Sequence, residues 1–121
     1  MPSYRVSRIS EDIRREITAV IRELKDPRVK YKMLTVLRVE VSSDASFAKV
    51  YISDYNGIEG AKEAVKALTN ATGYIRREIG GRLHLRKTPE LKFVADDSVE
   101  HGFEMFRKLE KEEKKEGEDE D

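Results

Sequence analysis

Apolar residues near the start of the chain recur at steps of three and four positions. They are Val6, Ile9, Ile13, Ile17, Val20, Ile21 and Leu24. This spacing predicts an amphipathic helix over residues 4–25, with one face turned towards a core. We expect the helix to end there, because Asp26 precedes Pro27 and the residue before a proline is pushed out of the α region.

Three later segments alternate apolar and polar residues, as half-buried strands do. The first covers residues 34–42, and the second covers 47–53 after a short turn at 43–46. The cleaner apolar face of the first strand is formed by Leu37, Val39 and Val41. Because the link is short, these two strands are expected to pair as an antiparallel hairpin. Residues 90–96 are predicted to form the third strand.

The segment 58–80 keeps a helical spacing but has a glycine, Gly73, in its interior. A glycine inside a helix costs about 1 kcal/mol relative to alanine. Either one long helix tolerates Gly73, or two helices meet at a corner formed by residues 71–73. One helix rising about 1.5 Å per residue would overhang strands of about 17–20 Å, which favours the bent pair. The pair Gly80 and Gly81 is expected to end the second helix.

The predicted order is helix, two strands, a kinked pair of helices, a strand and a short helix. It indicates an α+β two-layer sandwich, with the helices on one face of a three-stranded sheet. Ser98 is expected to cap the short C-terminal helix. We predict one domain over residues 1–109. Residues 110–121 form a charged, acidic tail that lacks bulky apolar side chains and is expected to be disordered.

The composition argues against several classes of function. The 121 residues include no cysteine, which excludes disulfides, thiolate catalysis and thiolate metal sites. The two histidines, His84 and His101, lack metal-ligand spacing, and no P-loop pattern is present, so no metal or cofactor is expected. Without an 18-residue apolar run or an apolar signal core, we expect a soluble, cytoplasmic protein with no membrane partner.

The formal net charge of zero conceals an uneven distribution. From Lys108 onwards the tail has four lysines and eight acidic residues, a net charge of −4, so the rest of the chain carries +4. Residues 71–92 alone contain six basic and two acidic residues. A basic body with an acidic end is a pattern of RNA-binding proteins.

The corner at residues 71–73 is a candidate phosphate site. A bend there exposes the N-terminus of the second helix, whose free N–H groups and partial positive charge favour an anion. Arg76 and Arg77 follow one turn later.

This arrangement resembles a type II KH domain, an RNA-binding fold whose two central helices normally meet at a G-x-x-G loop that clamps backbone nucleotides. Here the corner is Ala71-Thr72-Gly73 instead. A literal G-x-x-G, GIEG at 57–60, precedes the helix pair and contains Glu59, which would repel phosphate. We interpret it as a loop and helix entry.

An A-x-G helix–kink–helix in place of G-x-x-G is similar to that of the ribosome-binding factor A family. The resemblance extends over about residues 4–109. It includes LKDPRV at the end of the first helix, the hairpin VEVSSDASFAKVYIS, and ATGYIRREIGGRLHLRKTPELKFVADDSVEHG.

The resemblance implies a ribosome-assembly factor that binds the immature small (30S) subunit through its ribosomal RNA. Such a factor assists late maturation and 5′-end processing of that RNA, leaves before translation, and is associated with growth in the cold. The resemblance implies no catalytic residue, no cofactor and no small-molecule substrate. We expect it to act as a monomer.

The candidate RNA contacts are all basic side chains. The first group is Arg76, Arg77, Arg82, Arg86, Lys87 and Lys92, and the second is Arg5, Arg8, Arg28, Lys30 and Lys32. Arg8, Arg15 and Arg22 are nearly in line on the first helix, and form either a solvated face or a phosphate-facing stripe. Phosphates and RNA shape, rather than base edges, are the expected targets.

Three other functions compete with this one. An enzyme would use Asp96, Asp97 and His101, but a strand end followed by a capped helix explains these residues better. A general single-strand RNA-binding KH module requires the missing G-x-x-G. A protein-interaction domain requires an exposed apolar face, for which only Phe47, Tyr51 and Tyr55 are candidates.

Overall fold

A three-stranded mixed sheet carries the helices on one of its faces. The computed structural model describes residues 4–98 and residue 109. Its elements are α1 (Tyr4–Glu23), α2 (Pro27–Lys30), β1 (Leu34–Val41), β2 (Phe47–Asp54), α3 (Ile58–Asn70), α4 (Thr72–Leu83) and β3 (Glu90–Ala95). The predicted α+β fold is confirmed, including the division of the 58–80 segment into two helices.

The strands lie in the order β1-β2-β3. The predicted hairpin is confirmed, because β1 and β2 pair antiparallel from Leu34 opposite Asp54 to Val41 opposite Ala48. β3 pairs parallel to β2. A parallel pair needs a long crossover connection, and α3 and α4 together supply it.

A β-bulge in β1 changes which residues face the core. The pairing shifts between Val36, opposite Ile52, and Arg38, opposite Tyr51. Val36 and Val39 are therefore buried on the same side, whereas Leu37 is only half-buried. The prediction that Leu37 shares one apolar face with Val39 and Val41 was wrong, because an extra residue in one strand moves later side chains to the other face.

The core lies between the sheet and the helices. Helix α1 contributes Ile13 and Ile17 and packs against β1 and α4. Helix α3 contributes Leu68 and packs against β2 and β3. Helix α4 adds Ile75 and Ile79, all fully buried. These residues match the apolar spacing of the sequence.

Helix α2 was missed by the hydrophobic pattern. Its four residues begin with Pro27 at the first helical position, which suits proline because that N–H would be unpaired anyway. The Asp26 carboxylate caps the helix by accepting the Arg28 N–H at 2.9 Å, and Val29 is buried. Four residues are too few to show a helical period.

Helix α4 does not end at Gly80 and Gly81, as predicted, but continues to Leu83. His84 ends it in the left-handed conformation, with φ 53°. The predicted C-terminal helix and the 110–121 tail lie outside the described residues, apart from Ser98 and Leu109. The Asp96 carboxylate accepts the Ser98 N–H at 2.7 Å, and the expectation that Ser98 caps a helix stays a prediction.

Candidate nucleic-acid interface

The two central helices meet at an elbow formed by Ala71, Thr72 and Gly73. Ala71 is both the C-cap of α3 and the N-cap of α4. Its N–H donates to carbonyl oxygens of α3, including that of Ala67. The Thr72 hydroxyl donates to the Leu68 and Thr69 carbonyls at 3.2 and 2.7 Å. Thr72 thereby satisfies the C-terminal end of α3, while no side chain caps the N-terminus of α4.

Gly73 is not required by the internal structure of the chain. It is exposed, its φ is not positive, and a Cβ placed on it would meet nothing within 4 Å. The missing side chain at Gly73 therefore leaves room for a molecule from outside rather than for a neighbouring helix.

Arg76 joins α4 to the segment before β3. Its Nε donates to the Pro89 carbonyl at 3.0 Å, and its Nη2 donates to the Thr88 carbonyl at 2.9 Å. Half-buried and engaged by two acceptors, Arg76 has a structural role. Whether its remaining donors bind RNA stays a prediction.

Arg82 joins α4 to α1. Its Nη2 donates to Glu23 at 2.8 Å, and Glu16 and Glu78 lie 3.8 Å from other guanidinium nitrogens. The hydrogen bond to Glu23 raises the pKa of Arg82. The three carboxylates offset its charge, so Arg82 is a weaker attractor of phosphate than its sequence position suggests.

Arg77 points away from the core. It is exposed and forms no ion pair with any residue that the structure describes. Residues four apart lie on the same face of a helix, so Gly73, Arg77 and Gly81 form a line along the outer face of α4. A Cβ on Gly81 also would meet nothing within 4 Å. The outer face of α4 therefore has little side-chain cover at Gly73 and Gly81, and carries one cation, Arg77, that has no ion-pair partner among residues 4–98 and 109.

The loop between α4 and β3 carries more positive charge and is held against α4 at Gly80 and Arg76. Thr88 packs against Gly80, where a Cβ would lie 2.5 Å from the Thr88 hydroxyl, and Arg76 holds the Thr88 carbonyl. Arg86 and Lys87 immediately precede Thr88, and both are exposed without an ion pair among the described residues. We name Gly73, Arg77, Arg86 and Lys87 the elbow face.

The other candidate residues are spread over the molecule. Lys92 lies opposite Lys49 on the sheet face that the helices leave open. Arg5 and Arg8 are in the first turns of α1. Arg28, Lys30 and Lys32 lie in and after α2, where Arg28 bonds to Asp26 and Lys32 pairs with Glu63 at 3.3 Å. The structure thus places Arg76, Arg77 and Arg82 on three sides of α4. Arg86 and Lys87 lie in the loop that Arg76 holds against this helix, and that they bind RNA together with Arg77 stays a prediction.

The GIEG segment is a helix entry, as its position in the sequence suggested. Gly57 caps α3 with φ 118°, a conformation that favours glycine. A Cβ on Gly60 would collide with the Asp54 carboxylate, which is buried and accepts the Asn56 N–H at 3.1 Å. With a carboxylate behind it, this segment is unsuited to hold phosphate.

Two further kinds of site are absent from residues 4–98 and 109. No cluster of histidine and acidic side chains there is arranged to hold a metal ion. No helix in that part of the chain has the length and apolarity to cross a membrane.

The fold and the sequence both match known proteins. The sequence profile of ribosome-binding factor A matches residues 5–109. The ribosome-binding factor A of Clostridium tetani is 43% identical, over all of this chain and 98% of that protein. That of Thermomicrobium roseum is 47% identical over 90% of this chain and 84% of its own.

Solved structures of proteins described as ribosome-binding factor A resemble the fold of this chain. An NMR structure from Thermotoga maritima, described as a putative ribosome binding factor A, has a TM-score of 0.68 at 35% identity, covering 78% of this chain and 89% of its own. The crystal structure of ribosome-binding factor A from Thermus thermophilus has a TM-score of 0.65 at 29% identity, covering 74% and 93%.

A homology model of the Thermus thermophilus protein, fitted into a cryo-EM map of a 30S–RbfA complex, has a TM-score of 0.61 at 29% identity, covering 74% of this chain and 92% of its own. Together with the A-x-G elbow and its neighbouring cations, these similarities establish that the chain belongs to the ribosome-binding factor A family.

Proposed function

We propose that the chain binds the immature small ribosomal subunit through its ribosomal RNA and assists late maturation of that RNA, including processing of its 5′ end. Family membership supports the proposal, as does the Thermus thermophilus relative fitted into a map of a 30S complex. The observation on this chain that carries it is the elbow face. There a bare backbone at Gly73 lies on the same helix face as Arg77, which has no ion-pair partner in the described part of the chain.

The elbow face suits a folded polyanion. A side chain on Gly73 would stand between α4 and an approaching backbone, whereas the glycine lets phosphates reach the helix. No side chain caps the N-terminus of α4 at the same place. Arg77, Arg86 and Lys87 then supply phosphate contacts that carry no sequence information, and so recognise RNA shape.

The chain acts by selection rather than by chemistry. A protein that binds one RNA conformation more tightly than its competitors shifts the population by that difference in affinity. RNA rearranges slowly in the cold, and there the benefit is largest. In this proposal the protein works in the cytoplasm as a monomer, without a cofactor or a small-molecule substrate, and leaves before translation.

Cosedimentation with purified immature small subunits tests the proposal. The variant Arg77→Glu/Lys87→Glu should lose most of its binding while keeping its thermal unfolding curve, since both side chains are exposed and unpaired within the described residues. The matched control is Lys62→Glu/Lys66→Glu on α3, which changes the net charge equally and should bind nearly as well as the unchanged chain. Equal binding to large subunits, or equal loss in both variants, would contradict the proposal.

The glycine is tested separately. Gly73→Ala and Gly73→Gln should fold normally, because the space above Gly73 is open. Binding to small subunits should fall with the size of the new side chain. Undiminished binding of a folded Gly73→Gln protein would remove the elbow from the interface.

A further inference from the structure

A second exposed surface lies at the open end of the β1–β2 hairpin, before β1 begins and after β2 ends. Tyr31, Met33 and Tyr55 have 76%, 67% and 83% of their surface exposed, the highest values among the large apolar residues that the structure describes. The Met33 carbonyl accepts the Tyr55 N–H at 3.1 Å, which places these two residues opposite each other on the ladder. We name Tyr31, Met33 and Tyr55 the tyrosine patch.

The side chains of the tyrosine patch are exposed, whereas Lys32 between two of them is turned towards α3. Lys32 is only 16% exposed and pairs with Glu63 of α3 at 3.3 Å, while Tyr31 and Met33 on either side of it remain in solvent. Neither patch hydroxyl bonds to a residue in the described part of the chain. By contrast, Tyr51 is covered by the Arg38 guanidinium at 3.8 Å and donates to Glu40 at 3.0 Å.

Positive charge borders the tyrosine patch, and the acids near it are occupied. Residues 25–33 contain four basic residues and one acidic residue. That acid, Asp26, is bonded to Arg28, which lowers its pKa. The Lys30 ammonium lies 5.5 Å from the Tyr31 ring centre, and Lys25 is exposed without an ion pair among the described residues.

We propose that the tyrosine patch binds an unpaired segment of RNA, with bases stacked on Tyr31 and Tyr55 and the adjacent phosphates held by Lys25 and Lys30. Exposed aromatic rings beside cations are the means by which proteins hold single-stranded nucleic acid. The charge of the surroundings favours RNA over an apolar protein surface, since Lys30 lies beside the Tyr31 ring and residues 25–33 contain four basic residues and one acidic residue. This inference rests on the proposed function and names a second feature of the same RNA.

Helix α3 separates the tyrosine patch from the elbow face. Helix α3 begins three residues after Tyr55 and ends at the elbow, and its 13 residues extend about 20 Å. The chain would therefore hold a folded RNA backbone at one end of α3 and an unpaired strand at the other. Two contacts on one rigid element select the RNA conformation that presents both features at that separation.

The test uses two double variants of the full chain. Tyr31→Ser/Tyr55→Ser removes both rings, and Tyr31→Phe/Tyr55→Phe keeps them. Both positions are exposed, so both variants should fold. The probes are a fluorescein-labelled ten-nucleotide oligouridylate and purified immature small subunits. We expect the serine variant to bind each probe about tenfold more weakly or worse, and the phenylalanine variant to bind nearly as well as the unchanged chain.

Tyrosine emission gives a direct measure of stacking, because the chain has no tryptophan. Unlabelled oligouridylate should quench the emission of the unchanged chain, and the quenching should disappear in the serine variant. Equal binding by all three proteins would overturn the inference, as would equal loss in the serine and phenylalanine variants.

Two other outcomes would also overturn the inference. In one, sedimentation of the unchanged chain shows a dimer that the serine variant abolishes. In the other, the rings crosslink to a ribosomal protein instead of RNA. If the unchanged chain binds no small subunits at all, the proposed function fails. If the unchanged chain binds small subunits and both tyrosine variants bind them equally well, the proposed function stands and this inference alone fails.

Discussion

Gly60 and Gly73 are both helical glycines, yet they meet opposite surroundings. A Cβ on Gly60 would collide with the Asp54 carboxylate, whereas a Cβ on Gly73 would meet nothing within 4 Å. Gly60 therefore serves the fold. Gly73 carries the cost of a helical glycine without an internal benefit, which is expected of a residue retained for an outside partner.

We predict opposite effects of alanine at these two positions. Gly60→Ala should lower the free energy of unfolding by about 1–3 kcal/mol, because the buried carboxylate must shift. Gly73→Ala should raise it by up to about 1 kcal/mol, because alanine is the better helix former and its methyl group has room. Urea unfolding followed by circular dichroism measures both. A Gly60→Ala protein as stable as the unchanged chain would mean that Asp54 can move at little cost.

Arg76 differs from Arg77 in what its guanidinium does. Arg76→Ala should lower stability by about 1–3 kcal/mol, because a charge-assisted pair of hydrogen bonds to the Pro89 and Thr88 carbonyls is lost. Lysine should not restore it, since an ammonium cannot reproduce the planar fork. Arg77→Ala should leave stability unchanged. Thermal unfolding of Arg76→Ala, Arg76→Lys and Arg77→Ala measures these differences. Equal melting temperatures for the three variants would contradict a structural role of Arg76.

At the scale of elements, the turn between β1 and β2 is organised around one carboxylate oxygen. Asp44 Oδ1 accepts the Ser42 hydroxyl at 2.8 Å, and the Ser46 hydroxyl and N–H at 2.7 and 3.1 Å. The adjacent Ala45 takes a left-handed φ of 58°. The hydrogen bonds from Ser46 and Ser42 lower the pKa of Asp44 from its usual 3.8 to about 2.

The pKa of Asp44 predicts how the hairpin responds to acid. Because the folded value is below the unfolded value, Asp44 stabilises the fold above about pH 4, and this contribution is lost as the pH falls towards 2. Asp44→Asn should therefore melt at a lower temperature than the unchanged chain at pH 7, and the difference should shrink between pH 4 and pH 2. A difference that does not depend on pH would show that the charge of Asp44 is irrelevant to the turn.

Most elements could be predicted from local spacing, because a helix or strand with one buried face repeats its apolar residues at a fixed period. The wrong predictions, of the face of Leu37 and of the end of α4, concerned features that depend on residues elsewhere in the chain. The bulge at Leu37 arises from pairing with β2. The glycine at position 80 leaves room for Thr88 inside α4 rather than ending the helix. Helix α2 was too short to have a period.

The candidate interface was less predictable than the fold. The sequence placed three arginines on one helix, but their roles depend on distant partners. Arg76 meets Pro89, 13 residues away, and Arg82 meets Glu23, 59 residues away. Without these contacts, a paired arginine and an unpaired one look alike in the sequence. The half-buried position of Lys32 likewise depends on its ion pair with Glu63 of α3, a contact between elements.

At the scale of the whole molecule, α3 separates two surfaces of different chemistry. The elbow face offers charge and open backbone, whereas the tyrosine patch offers aromatic rings. Charge contacts with RNA release counterions and so weaken with salt, while ring stacking depends on salt much less. The two surfaces can therefore be told apart by salt dependence as well as by affinity.

We predict different salt responses for variants of the two surfaces. Neutralising Arg77, Arg86 and Lys87 to alanine should reduce the slope of log affinity against log salt by about two to three, because three phosphate contacts are lost. Replacing Tyr31 and Tyr55 with serine should weaken binding by a similar factor at every salt concentration and leave the slope unchanged. Cosedimentation with small subunits over a salt series measures both slopes. If the alanine variant kept the full slope, its three cations would not face phosphate, and if the serine variant lost slope, the rings would act by positioning lysines rather than by stacking.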